Sequence, residues 1–325
     1  MLKVVLLGAG NHSENVHGPS LAYYAKEHPG AISLAAVCDL REERARLFCE
    51  KFGFARAYTD LDEMFDREKP DACWVVAPLP KTRELAGRVM ERGIPVLFEK
   101  PPGANLREAQ ELAGISARTL TPNMVAFNRR WAPCTKKALA WAKEHGPFEF
   151  IYSRMLRVNR LDDEFAFGTG IHVLDCTRYL AEAVGGGIAS ARVTRVETAA
   201  GHYNFHVDFT LRNGLPGRCD ILPTCGMLEE SYALLGSRAS VSAPLPWNGA
   251  RTEDPLRCEL WVDGKVVESE GLPADPMYLS CGFYQETEEF IAALQEGRRP
   301  TPSAEEAVDS VALAVAVQEG RDISF

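Results

Sequence analysis

The chain has 325 residues, of which 46% are apolar and 25% charged, and a net charge of −9. That length favours two domains with a full buried core. The acidic balance argues against a nucleic-acid partner, which needs a basic surface. No apolar run reaches the roughly 18–20 residues of a membrane span, and Met1–Leu7 is too short for a signal peptide. The nine cysteines are scattered without a Cys-x-x-Cys. A cytoplasmic protein with reduced thiols and no membrane partner is expected.

Strand and helix alternate over the first part of the chain. Strands are expected at Lys3–Leu7, Ser33–Cys38, Ala72–Ala77, Pro95–Phe98 and Asn123–Phe127. Between them lie helices over Asn15–His28, Glu42–Phe52, Thr82–Arg92 and Asn105–Ala113. Repeated β-α-β units with short links predict a doubly wound parallel sheet of the Rossmann type, and the first domain is drawn over residues 1–122. After Trp131 the texture changes. A helix over Pro133–His145 precedes a region where strands dominate, and Tyr203–Leu211 alternates apolar and polar residues as an antiparallel strand with one face on a core. Asn213-Gly214, Leu235-Gly236 and Asp263-Gly264 are turns between further strands. Helices over Tyr284–Leu294 and Ser303–Ala316 close the second domain, 123–325, with Ser303 and Glu306 in capping-box spacing.

The first strand runs into Gly8-Ala9-Gly10-Asn11-His12-Ser13. Gly8 permits a tight turn, and Gly10 lets backbone N–H groups approach a pyrophosphate at the start of the following helix. Ser13 stands where the dinucleotide fingerprint has its third glycine. Asp39 ends the second strand and is the expected partner of an adenosine ribose hydroxyl. A carboxylate within about 4 Å of a 2′-phosphate would cost roughly 4 kcal/mol at an effective dielectric near 20, so Asp39 favours NAD; Arg41, able to pair with such a phosphate, keeps NADP open. His12 and His17 are read as polar lining or capping residues.

Pro95-Val96-Leu97-Phe98-Glu99-Lys100-Pro101-Pro102 is an apolar run that ends in a carboxylate, a lysine and two prolines. Ligands in open α/β sheets bind beyond the carboxyl ends of the strands, so Lys100 is placed to act beside a cofactor. Further on come Ala126-Phe127-Asn128-Arg129-Arg130-Trp131 and Gly168-Thr169-Gly170-Ile171-His172-Val173-Leu174-Asp175.

With Gly8-Ala9-Gly10, Asp39, Val76-Ala77-Pro78 and Glu99-Lys100-Pro101 before them, these segments resemble the glucose–fructose oxidoreductase / inositol dehydrogenase / MocA family over nearly the whole chain. The resemblance implies a second α/β domain with an open, mainly antiparallel sheet that binds substrate and mediates oligomerisation. It also implies NAD(P)-dependent oxidation or reduction of a secondary alcohol on a sugar, polyol or related small molecule, and a homodimer or homotetramer paired through the C-terminal sheet. It places Ala77, Pro78, Glu99 and Lys100 with Asn11, His12 and Ser13 at the cofactor. The family's lysine falls on Lys100, whose bond to the following proline is often cis, and its catalytic histidine on His172.

Those roles fit the chemistry. His172 in the first turn of a helix would act as base, Asp175 three residues on would orient its ring, and Lys100 would stabilise the alkoxide. Two departures stand out: Gly168 where members commonly carry an aspartate, and Thr82 where many carry a histidine. Asp162, Asp163 or Glu164 are candidates to replace the missing acid. Arg129, Trp131, Arg157 and Tyr284 are candidate substrate contacts, with a solvated helix start the alternative for Arg129-Arg130. Asn204, His206 and Asp208 share a strand face, read as a polar or subunit-contact face, and no metal site is expected. Non-redox, NAD-using sugar modification and non-catalytic ligand sensing remain alternatives to the dehydrogenase.

Overall fold

A computed structural model describes residues 1–198, 201–246, 256–272 and 276–325. The chain forms two compact units, one of residues 1–127 with 283–308 and one of 128–282 with 309–325.

In the first unit, Val4, Val5 and Leu6 of β1 (Leu2–Leu7) are fully buried, as in a strand covered on both faces. The other strands are β2 (Ile32–Cys38), β3 (Arg56–Tyr58), β4 (Ala72–Val75), β5 (Val96–Phe98) and β6 (Asn123–Val125). They form one parallel sheet of order β3-β2-β1-β4-β5-β6. The order reverses between β1 and β4, and that switch point is where a doubly wound sheet opens a crevice for a ligand. The boundary expected after residue 122 moves, because β6 pairs with β5 (Val96 opposite Asn123) and so completes this sheet.

The helices of this unit are α1 (Gly18–Glu27), α2 (Glu42–Phe52), α3 (Leu61–Glu68), α4 (Leu79–Glu91) and α5 (Leu106–Thr119). The helix expected over Asn15–His28 is present and continuous, but Ser13–His17 is a π-turn that leads directly into α1 at Gly18. Pro19 explains the widened turn, since it has no N–H to donate and its ring crowds the carbonyl four residues back; the Gly18 N–H instead closes a wider turn onto the Ser13 carbonyl. A Cβ on Gly18 would lie 2.7 Å from the Phe48 ring, so only glycine lets α1 pack this close to α2. β3 and α3 were not expected. β3 is three residues long and mostly exposed, so it carries no apolar run.

The second unit begins with a 3₁₀ turn (Asn128–Trp131) and α6 (Pro133–His145). β7 (Phe150–Leu156) is followed by a π-turn (Ala166–Gly170), α7 (Ile171–Gly185), β8 (Ile188–Glu197), β9 (Tyr203–Leu211), β10 (Pro216–Leu222) and β11 (Glu229–Leu235). Next come β12 (Ala239–Pro244), β13 (Arg257–Val262), β14 (Lys265–Gly271) and α8 (Met277–Ser280). α9 (Phe283–Glu296) returns to the first unit, where Phe290 meets Trp74 edge-on at 5.2 Å. α10 (Ala304–Glu319) and β15 (Ile323–Ser324) end the chain.

The second sheet runs β14-β13-β12-β11-β7-β10-β9-β8-β15. Among the described strand pairs of this second sheet only β7–β10 is parallel, so the mainly antiparallel sheet is as expected. β9 alternates as its sequence requires, with Phe205, Val207 and Phe209 buried. Its other face carries His206, 2.6 Å from Asp220, and Asp208, 3.0 Å from Arg218. These side chains are held in a polar cross-strand network, as expected for that face. All nine cysteines are free thiols, and no helix among the described residues is long and apolar enough to cross a membrane.

Candidate functional site

The glycine turn follows β1 at the switch point. Gly8 has φ of +94°, and a Cβ there would lie 2.1 Å from the Val76 carbonyl oxygen. Only glycine brings the turn this close to the Val76-Ala77-Pro78 loop. The Ser13 hydroxyl donates to the Gly8 carbonyl and ties the turn to the helix start; serine thus braces the turn from the third fingerprint position. A Cβ on Gly10 would meet no described atom within 4 Å, so packing does not explain the glycine, whereas close approach of a pyrophosphate does. Asp39 accepts from the N–H of Ala9 at 2.9 Å and of Arg41 at 2.9 Å. The carboxylate thus sits beside the turn, with the Arg41 Nε 3.9 Å away. Turn, helix start and carboxylate fit a nicotinamide dinucleotide.

The end of β5 supplies Glu99 and Lys100, and the Lys100–Pro101 bond is cis, as the resemblance implied. Glu99 is buried. Its Oε1 lies 3.0 Å from His12 Nε2 and 2.8 Å from His17 Nε2, and its Oε2 accepts the Lys100 N–H at 3.2 Å. Burial would raise this carboxyl, but the two imidazoles hold it well below the usual carboxylate range. Burial also holds His17 below its ordinary value, against the pull of the Glu99 hydrogen bond. The two histidines sit five residues apart. In an α-helix, at about 100° per residue, they would diverge by about 140°; the wider π-turn brings them to one side. The Phe283 ring lies edge-on to both, at 5.7 and 6.0 Å. This cluster joins segments more than 80 residues apart and had no local signal beyond Pro19, whose effect on the turn was overlooked.

In the second unit His172 occupies the first turn of α7, as expected, and is buried. Asp175 is fully buried, but its carboxylate does not serve the His172 ring. It accepts both Arg130 nitrogens, at 2.8 and 2.7 Å, and the Ser310 hydroxyl at 2.7 Å. Helical spacing put the two side chains on one face; the bidentate guanidinium then claimed the carboxylate. Gly168 lies in the π-turn ahead of α7, and Asp162 pairs with Arg160 at 2.8 Å.

The expected substrate contacts have other partners. Arg129 and Arg157 are buried and both pair with Glu230, Arg129 at 3.2 Å. The solvated helix start is therefore overturned for Arg129. Burial would raise Glu230, yet the two guanidiniums hold its carboxyl at about 2. The Lys136 ammonium covers the Trp131 ring at 3.7 Å. Tyr284 packs edge-on against Tyr23 at 5.0 Å, with its hydroxyl 3.4 Å from His28, at the last turn of α1. Burial pushes its phenol up to about 12. Thr82 is buried within α4.

A parallel sheet of this order, with a glycine turn at its switch point and a carboxylate ending its second strand, defines a dinucleotide-binding protein. The family model described as "Oxidoreductase family, NAD-binding Rossmann fold" matches residues 2–127, and "Oxidoreductase family, C-terminal alpha/beta domain" matches residues 158–321. The chain belongs to the glucose–fructose oxidoreductase / inositol dehydrogenase / MocA family.

It is 28% identical over 194 residues to the D-glucoside 3-dehydrogenase of Escherichia coli (strain K12), covering 55% of this chain and 54% of that protein. It is 24% identical over 281 residues to scyllo-inositol 2-dehydrogenase (NADP(+)) IolU of Bacillus subtilis (strain 168), covering 82% of each. The chain thus spans about half the length of several curated relatives it matches. Its fold is similar to that of levoglucosan dehydrogenase in complex with NADH and levoglucosan (TM-score 0.80, 17% identity, 99% of each chain). It is equally similar to an oxidoreductase from Agrobacterium radiobacter in complex with NAD+, L-tartaric acid and magnesium (TM-score 0.80, 17% identity, 99% of this chain and 98% of that one).

Proposed function

We propose that this protein is an NAD(P)-dependent oxidoreductase that transfers a hydride between the nicotinamide and a secondary alcohol or ketone of a sugar, polyol or related small molecule. The observation that carries the reading is the lysine of the family motif, Lys100, at the carboxyl end of β5 in the same sheet as the glycine turn, with its backbone N–H bonded to Glu99. Relatives named as glucoside and inositol dehydrogenases support a ring alcohol as substrate.

Bound NAD supplies the hydride acceptor. The turn of Gly8, Gly10, Asn11, His12 and Ser13 would hold the pyrophosphate through backbone N–H groups, with the His12 imidazole committed to Glu99; Asp39 would take the ribose hydroxyls and favour NAD, and Ala77, Pro78 and Glu99 would complete the cofactor side. Lys100 holds the oxygen as negative charge develops on it, a preorganised cation where the transition state needs one. His172 takes the hydroxyl proton. Asp175 acts only through α7: by fixing the helix to Arg130 and Ser310 it is a positioning residue. Arg129 and Arg157 serve the fold through Glu230, Trp131 through Lys136, and Tyr284 through the packing of α9 on α1. The thiols support a cytoplasmic location, and the polar outer face of β9 and β10 supports a homo-oligomer paired through the second sheet.

The test is a screen of sugar and polyol alcohols and their ketones with NAD(H) and NADP(H) side by side. Net nicotinamide reduction by a cyclic polyol or sugar, faster with NAD, is expected; no turnover across the panel with either cofactor would contradict the reading. Two alternatives differ from this reading, a member that uses NAD without net redox and a non-catalytic ligand sensor, and Gly168 favours the second. A Cβ at Gly168 would meet no described atom within 4 Å, so Gly168→Asp meets no obstacle at its first side-chain atom. Cleavage of an activated glycoside without a nicotinamide signal would establish the non-redox reading. A wild type that binds NADH but turns over nothing, and gains nothing from Gly168→Asp, would establish the sensor.

A further inference from the structure

Two imidazoles and a carboxylate oxygen within 4.8 Å of one another, from His12, His17 and Glu99, have the donor chemistry of a cation site. The hydrogen bonding argues for a different use. His17 Nδ1 is buried with no hydrogen-bond partner among the described residues. A metal-bound imidazole normally donates its other N–H to an acceptor, and Nδ1 of His17 has none. Its proton therefore sits on Nε2 and is donated to Glu99. An anionic carboxylate only accepts, so His12 Nε2, on the same oxygen, also carries a proton. Glu99 is then a buried anion held by three N–H groups: two from the helix start after the glycine turn and the third, at 3.2 Å, from the backbone of Lys100.

We propose that His12, His17 and Glu99 form a positioning trio that fixes the Lys100 peptide relative to the nucleotide-binding turn. The proposal rests on the role assigned above to Lys100. The groups facing His12 are Glu99 from the end of β5, His17 from its own turn and the uncharged Phe283 ring of α9. His12 is half-exposed, so it can be replaced with less disturbance than buried His17. Its Nε2–H supplies one of the two imidazole bonds that keep Glu99 in place.

Two measurements test the trio. Long-range ¹⁵N–¹H correlation NMR of the histidines in metal-free protein should show both His12 and His17 as Nε2–H tautomers, a readout independent of turnover. Unprotonated Nε2 nitrogens, or a stoichiometric zinc ion retained through purification, would overturn the assignment in favour of a metal site. In kinetics, His12→Phe keeps a ring beside Phe283 but removes the donor. It should lower kcat at least tenfold with NADH affinity within about threefold, and His12→Gln, which restores an N–H, should recover most of the rate. Unchanged kcat in His12→Phe, or a loss confined to nucleotide affinity, would refute the trio. An inactive wild type with the expected tautomers would sink the oxidoreductase reading instead.

Discussion

Glu230 shows what a buried charge does at the scale of one residue. Two guanidiniums, from Arg129 and Arg157, share its carboxylate in a fully buried setting, and Tyr232 adds a hydrogen bond at 2.9 Å. Breaking a buried pair by removing one partner leaves a charge without compensation and costs about 3–5 kcal/mol. Glu230→Gln should therefore lower the melting temperature by about 5 °C; a change below about 1 °C would show that the arginines are solvated. The carboxyl titrates at about 2 in the fold against an ordinary 4.5. Its folded pKa is depressed, so its contribution is complete above about 4.5 and fades as pH falls from there toward 2. Acid unfolding of the wild type should steepen in that window, and Glu230→Gln should remove this part of the slope.

At the scale of the element, the close of the chain follows its local chemistry. Ser303 Oγ accepts the Glu306 N–H at 3.4 Å, and Glu306 Oε2 accepts the Ser303 N–H at 2.7 Å, the reciprocal bonds expected from their spacing. Ser303→Ala should destabilise the protein by about 1 kcal/mol, read from denaturant midpoints at unchanged slope; no shift would mean the start of α10 is held by its other contacts. Elements with such local signals were legible: α2 and α6 have the expected bounds, and β9 alternates as written. Where the cause is not local, the reading missed. β3 is an edge strand defined only by its pairing with β2. α5 runs on through Gly114 because one exposed glycine costs about 1 kcal/mol and does not stop a helix. The glycine turn, Asp39, the Lys100 strand end and His172 at the start of α7 were visible as motifs. The imidazole and guanidinium partners of Glu99, Asp175 and Glu230 were not, because each lies 45 or more residues away in sequence. A motif marks where a functional side chain starts, whereas its bonding is settled by which distant guanidinium or imidazole reaches it first.

At the scale of the whole molecule, the family's division of labour accounts for the chain. One unit is the NAD-binding Rossmann fold, with Lys100 at the end of its fifth strand, and the other carries His172 on α7 behind an anchored Asp175. With Gly168 at the position where the resemblance implied an acid, lysine and histidine are the proposed chemical pair. The most direct test is to follow nicotinamide reduction by the best alcohol for wild type and Lys100→Met, with NADH binding measured on the same samples. The account predicts that the variant loses at least about 10²–10³ in kcat, the scale set by removing a preorganised charge stabiliser, while binding NADH within a few-fold of wild type. A Lys100→Met protein that reduces NAD at the wild-type rate would contradict it.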